Sequence, residues 1–588
     1  MDSYMQNIEA SVDGVFSCCP VPKSATGGNP RNPNHQIYQI MSDLPKISLP
    51  EFESTSLDLI PALVEELRAS FNANRTKSVE FRKTQLKQLF YLVHDHADRF
   101  REALAQDLHK PAVEAWAFEI SPAKDEIQRA IDSLDEWVKP EKPAGIPFFP
   151  FSIANKPVIR KEPKGVACVI GTWNYPLILC LKPLVGAIAA GCTAIIKPSE
   201  HAPKVGALLH ELFPQYMDPM CYRVVLGHKE EAERLLQCEF DHIFYTGSAG
   251  VGKLIMKAAA EHLTPVTLEL GGKSPAIVTR HADVALAAKR IAWAKFANAG
   301  QTCVAPDYVL VAKSIQNEFV AALEKVINEF YEGKPQESKE YGRIVNEAQW
   351  TRVAEILDKT EGHVVIGGNK DISDLYIEPT VVTDVAATDS LMESEIFGPI
   401  LPIITVEDSA EAVKFVRENA NHPLALYAFT GENKTEAEYI LDNTLSGTAA
   451  INECMWQLAV PQLPFGGVRT SGHGTYVGKA SFDTFSHHRS VVEQPKWMEY
   501  LVGLRYPGLP GGGYDHVTKL EKYLKSGQDP QPKFQRPGEE SVLVSLMAFL
   551  GASVVPGIVA GTVWLAHRRG LTNVILGQVR AINDNFNA

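Results

Sequence analysis

The chain has 588 residues, 45% of them hydrophobic and 22% charged, which suits two or three globular domains with a large apolar core. A net charge of −13 excludes a generic nucleic-acid surface, which needs clustered Lys and Arg. Nine cysteines without CxxC or Cys/His spacing exclude a disulfide scaffold and a zinc site and read as reduced thiols.

Residues 1–55 are rich in Asn, Pro, Ser and Gly and carry no periodicity, which predicts a disordered extension. Asp2, Glu9 and the lack of Arg before Arg31 speak against secretory and mitochondrial leaders. The adjacent Cys18 and Cys19 read as exposed thiols or S-acylation sites, and Met41 is an alternative start. From 57 to 138 the pattern is helical, with Leu63, Leu67, Phe71 and then Leu86, Leu89, Phe90, Val93 recurring at three and four residues. Aromatic and β-branched residues between prolines at 148–163 predict a hairpin or an extended arm.

Strand and helix then alternate. Short apolar runs predict strands at 166–170, 193–196, 222–226 and 242–245, with a helix at 181–190. A second alternating region follows, with strands at 276–278, 308–311, 363–366, 400–405 and 426–429 and helices at 283–296 and 315–331. The expected fold is α/β: a doubly wound parallel sheet in 56–267, a second α/β domain in 268–457, and a return to the core in 458–492. Pro and Gly clusters make 493–540 a linker. Residues 541–566 carry no charge. As a helix they would be about 39 Å long, at about 1.5 Å per residue, against a bilayer core of about 30 Å. The segment therefore reads as a membrane helix, or as a half-inserted hairpin around Pro556, with an amphipathic tail at 567–588.

Ligands of such sheets bind beyond the strand C-termini, so the loops there carry the chemistry. Cys303, in Asn-Ala-Gly-Gln-Thr-Cys-Val-Ala, is the candidate nucleophile; alone, it fits a buried structural thiol equally well. Glu269, between an apolar strand and Gly271-Gly272, is the candidate general base, because desolvation raises a carboxyl pKa. Asn174 can donate to an oxyanion or form an Asx-turn before Pro176. Lys197-Pro-Ser-Glu200 is either a ribose contact or a plain turn, with Ser199 expected to cap a helix. The run Gly247-Ser-Ala-Gly-Val-Gly252, before a helix expected from Lys253, suggests a phosphate contact, although its spacing is not GxGxxG. Glu395 and Phe397 share one loop, where they read as ribose and ring contacts or as a strand-entry turn.

Taken together and in order, TrpAsn, LysProSerGlu, ThrGlySer, GluLeuGlyGly, GlyGlnThrCys and GluIlePheGlyPro resemble the aldehyde dehydrogenase superfamily. GlyThrTrpAsnTyrPro, AlaGlyGlnThrCysValAlaProAspTyr, LeuProPheGlyGlyVal and SerPheAspThrPheSerHis resemble its class 3 branch, which includes fatty aldehyde dehydrogenases. The resemblance implies that Cys303 attacks an aldehyde, that Asn174 and the Cys303 N–H hold the oxyanion, and that Glu269 activates the hydrolytic water. It implies contacts to NAD, with NADP also admitted, from Thr172, Trp173, Lys197, Glu200, Gly247, Ser248, Gly252, Leu270, Glu395 and Phe397. It further implies a homodimer and, with the uncharged tail, a fatty aldehyde substrate at a lipid membrane, the catalytic part facing the cytosol at the endoplasmic reticulum, the mitochondrial outer membrane or a lipid droplet. The alternatives are an acyl-CoA-forming enzyme and an inactive membrane scaffold. Arg469-Thr470 and His473 depart from the branch pattern.

Overall fold

The computed structural model describes residues 47–144, 156–419, 422–499 and 506. The expected extension up to residue 46, residues 148–155 of the arm, most of the linker, the uncharged segment 541–566 and the tail 567–588 lie outside them. Among the described residues no helix is long and apolar enough to cross a membrane.

The amino-terminal helices follow the predicted periodicity. Helix Val79–Asp95 begins at Ser78, whose hydroxyl accepts the Phe81 N–H, and buries Leu86, Leu89, Leu92 and Val93. Arg82, buried on the same face, donates to the carbonyls of Thr76, Lys77 and Ala189, tying this helix to the one at Ile178–Ala190. Ala112–Ala115 continues through a π-helical turn, Trp116–Ile120, into Ser121–Trp137.

The strands, in chain order, are β1 (Val158–Pro163), β2 (Val166–Ile170), β3 (Thr193–Lys197), β4 (Tyr222–Val224), β5 (His242–Thr246), β6 (Val266–Glu269), β7 (Pro275–Val278), β8 (Tyr308–Ala312), β9 (His363–Ile366), β10 (Lys370–Asp371), β11 (Tyr376–Ile377), β12 (Thr380–Thr383), β13 (Ile400–Val406), β14 (Ala425–Phe429), β15 (Thr448–Ile451), β16 (Gly472–His473) and β17 (Ser486–Val491). Every residue of β2, β3 and β5 is buried, as helices on both faces of a parallel sheet require.

One sheet has six strands in the order β16-β6-β5-β2-β3-β4, and the other has seven in the order β15-β14-β7-β8-β13-β12-β9. Neither is wholly parallel, which corrects the expectation of a parallel sheet. β16 runs antiparallel to β6, and β9 runs antiparallel to β12. β9 leads to its partner β12 through the short β10–β11 pair, and β16 returns to β6 from the far end of the fold, so neither pair is a single strand–helix–strand unit to which the handedness rule applies. The arm is not a local hairpin where it is described: β1 pairs antiparallel with the distant β17, from Val158↔Val491 to Pro163↔Ser486.

Two helix starts also differ from expectation. The helix after β3 begins at Pro203, and Ser199 instead turns back to accept the His201 N–H. The helix after β5 begins at Ala249, four residues before Lys253, with the Ser248 hydroxyl accepting the Val251 N–H. Gly252 therefore lies inside a helix, buried against the core. A Cβ there would come within 3.1 Å of Leu270, so its smallness serves helix–sheet packing and not a loop.

Candidate active site

The loops that leave β2, β3, β5 and β6 gather the predicted residues. The loop after β2 is held from below by a fully buried ion pair, Lys110–Glu119, at 2.6 Å. Glu119 lies on the π-helical turn, and its second oxygen accepts the N–H groups of Leu177 (2.9 Å) and Ile178 (3.2 Å). Lys110 also donates to the Asn174 carbonyl at 2.9 Å and sits 4.1 Å from the centre of the Tyr175 ring. Asn174 is 2% exposed; its amide donates to the Gln301 carbonyl at 3.0 Å, and its Oδ1 has no partner.

Cys303 stands at the end of an unusually constrained loop. Asn298, Ala299 and Gly300 all have positive φ, at 52°, 52° and 76°. Two of them are not glycine, so the conformation is imposed by the surroundings. At Gly300 a Cβ would meet the Gly398 carbonyl at 2.2 Å. The Asn298 amide donates to the carbonyls of Asn174 (2.9 Å) and Gln301 (3.1 Å). Gln301 donates to Asn298 and Arg343 and accepts from Val345. The Thr302 hydroxyl bonds Tyr175 at 2.7 Å, and the Tyr427 hydroxyl donates to the Val304 carbonyl at 2.6 Å.

The thiol itself is half-buried. Burial, then the carboxylates of Glu395 and Glu269, push its pKa up to about 12, opposed by the N–H groups of Cys303 and Val304. Glu269 is the last residue of β6 and 2% exposed. Among the described residues neither carboxylate oxygen has a hydrogen-bond partner, and burial raises its pKa well above the usual carboxyl value. Burial disfavours the charged form, so the carboxylate, once ionised, is a stronger base than a solvated one.

The remaining predicted residues build a cradle. Lys197 and Glu200 pair at 2.9 Å; burial opposes ionisation of Glu200, but the Lys197 contact outweighs it and lowers its pKa. Gly247 leaves no room for a side chain, since a Cβ would lie 2.2 Å from the Tyr245 hydroxyl, and Ser248 caps a 12-residue helix whose N–H end favours an anion. The nearby Thr246 hydroxyl is buried without a partner. Glu395 reaches over Gly271, where a Cβ would meet its Oε2 at 1.9 Å, and burial followed by the Asp307 charge raises its pKa to about 8. Trp173 and Phe397 meet edge to face with ring centres 5.3 Å apart. Thr172 is half-buried on the same loop as Trp173, and Leu270 is buried, its N–H donating to Ser471 at 3.0 Å. A Lys/Glu pair, a capped helix end, orphaned polar atoms and a second, half-buried carboxylate fit a dinucleotide's riboses and phosphates.

Residues without a sequence signal complete the site. Asp307 accepts from Lys273 and, at 3.0 Å, from the Ile396 N–H, anchoring the loop that bears Glu395 and Phe397. Glu114 accepts the Asn298 N–H at 2.9 Å. An aromatic wall adjoins Tyr175, with Phe118 at 6.4 Å from it and Trp293 at 5.9 Å from Phe118. Of the departures from the branch pattern, Arg469 holds a φ of 52° and reaches His422 at 3.5 Å, and the exposed His473 pairs with Leu268, next to Glu269.

A half-buried thiol, a partnerless carboxyl and a cradle shaped for a dinucleotide define a class that the comparisons also reach: residues 47–491 match the model of the Aldehyde dehydrogenase family, and the chain belongs to it. It is an oxidoreductase that uses NAD(P)+ to convert aldehydes to carboxylic acids. It is 45% identical over 451 residues to human aldehyde dehydrogenase family 3 member B1, covering 77% of this chain and 95% of that one. It is 43% identical over 451 residues to mouse "Aldehyde dehydrogenase, dimeric NADP-preferring", covering 77% and 98%. Among solved structures, a substrate-bound Staphylococcus aureus AldH superposes with a TM-score of 0.73 at 42% identity, over 79% of this chain and 99% of that one.

Proposed function

We propose that the enzyme oxidises medium- to long-chain aliphatic aldehydes through a covalent intermediate on Cys303. The observation that carries this is the pairing of a half-buried thiol with a buried carboxyl that has no hydrogen-bond partner. Cys303 adds to the aldehyde carbonyl, and the Asn174 amide and the Cys303 N–H receive the oxyanion. Lys197, Glu200, Gly247 and Ser248 hold the adenosine and phosphate end of the cofactor, and Glu395 with Phe397 the nicotinamide end. Bound NAD(P)+ supplies the hydride acceptor and a positive ring charge that favours the thiolate. Loss of hydride leaves a thioester on Cys303. Glu269, in its ionised form, then takes a proton from water; the hydroxide adds to the thioester carbon, and the C–S bond breaks to release the acid and the Cys303 thiolate.

The preference for apolar substrates is supported by the aromatic wall of Phe118, Tyr175 and Trp293 and by the uncharged segment 541–566. A chain anchored through 541–588 with its catalytic part in the cytosol would meet such substrates in the lipid itself. A carboxylate at Glu200 repels a 2′-phosphate, which favours NAD+. The relative named as dimeric supports a homodimer. The direct test is turnover of hexanal and hexadecanal by the full chain with NAD+, NADP+ and added coenzyme A. Free fatty acid formed with NAD+, and a greater kcat/KM for hexadecanal, are expected. Acyl-CoA as product, or a preference for hexanal, overturns the reading. A tagged chain lacking 541–588 is expected to leave its membrane, and unchanged location refutes the anchor.

A further inference from the structure

We infer that Glu114 is a positioning residue for the nucleophile: it clamps the first residue of the Cys303 loop in its left-handed conformation. The carboxylate lies two residues before the π-helical turn and accepts the Asn298 N–H at 2.9 Å. Asn298 opens the run of three positive-φ residues that ends at Gly300. Its side chain in turn donates to the Asn174 carbonyl, which Lys110 also grips. Glu114 therefore fixes the point at which the oxyanion loop and the nucleophile loop are joined.

The contact is one of reach and not of charge pairing. Lys110 is committed to Glu119 at 2.6 Å, so Glu114 has no dedicated cation. The groups that face it are Lys110, Glu340 and the hydroxyls of Tyr175, Tyr331 and Tyr341. Burial raises its pKa to about 7, so near neutrality it is partly uncharged, and a neutral acceptor can replace it. Asn298 tolerates positive φ, but Ala299 beside it does not favour it, so without the acceptor the loop relaxes and carries Cys303 away from the Asn174 amide.

The variants Glu114→Gln, Glu114→Asp and Glu114→Ala separate reach from charge. The Gln side chain keeps the acceptor at the same distance; Asp keeps the charge but is one methylene short. We expect E114Q to hold kcat within about threefold of wild type, and E114D and E114A to lose about tenfold to a hundredfold. KM for NAD+ should not move, because Glu114 lies outside the cofactor cradle. Alkylation of Cys303 by iodoacetamide, followed by peptide mass spectrometry, should change rate in E114D and E114A but not in E114Q. If E114A does not fold, the Gln and Asp pair decides alone. E114D active and E114Q impaired would assign the effect to charge and overturn the clamp, as would wild-type kcat in E114D. Wild-type turnover with each aldehyde, measured alongside, separates a failure of the substrate reading from a failure of the clamp.

Discussion

The proposed nucleophile and the proposed base are built on opposite terms. Around Cys303 nearly every polar neighbour is tied down: Asn298, Gln301, Thr302 and the Val304 carbonyl each have a buried partner. Glu269, at the end of β6, has none among the described residues. The attacking atom must arrive at a fixed geometry, so its loop is held against its own conformational preference. The base must exchange protons with a water that comes and goes, so a permanent partner would hold it ionised and idle.

Removal of the fixed element should have the largest effect. Cys303→Ala is expected to lower NADH formation by about 10⁴-fold or more, and residual turnover close to wild type would break the contrast at its root. Glu269→Gln should leave the first turnover and stop the next, giving a burst of NADH, a thioester adduct visible by intact mass, and a steady rate about 10²–10³-fold lower. The same variant should stabilise the fold. A carboxyl with a folded pKa above its unfolded value binds more protons when folded, so the native protein loses stability as pH rises above the unfolded carboxyl pKa. Melting at pH 8 should therefore rise by a few degrees in E269Q, the gain shrinking toward pH 5, and a fall would mean that Glu269 has a partner after all.

Asn174→Ala should lower kcat by about 10²–10³-fold with less change in KM, as for one oxyanion donor. The smallest effect is expected at Arg469, which bears a left-handed φ outside the catalytic set. Arg469→Gly should stabilise the protein by about 0.5–1 kcal/mol in denaturant unfolding, with kcat unchanged.

The same contrast explains what the sequence made legible. Strands buried on both faces, such as Val166–Ile170, announce themselves as unbroken apolar runs. β15 is half-exposed and small-residued, and it was not anticipated. Gly250 and Gly252 disguised the true start of their helix, because a glycine chosen for close packing looks the same in sequence as one chosen for a loop. Cys303, Glu269 and Asn174 were readable because their motifs surround them. Glu114 and Lys110 were not: Glu114 acts on a residue 184 positions away and Lys110 on one 64 positions away, and no local pattern encodes such a pairing.

Asp307 has a consequence for how this enzyme can change. One carboxylate takes bonds from Lys273 and Ile396, and its own N–H donates to the Ser274 carbonyl at 2.7 Å, so three loops share a single rivet. The redox end of the coenzyme site therefore cannot be altered piecemeal; a substitution there disturbs the nucleophile's own segment as well. In the proposed reading the adenosine end rests on Lys197 and a half-exposed Glu200, joined mainly to each other. Divergence in coenzyme choice is thus channelled to the end of the molecule where no bond is made or broken, leaving the reactive end as inherited capital.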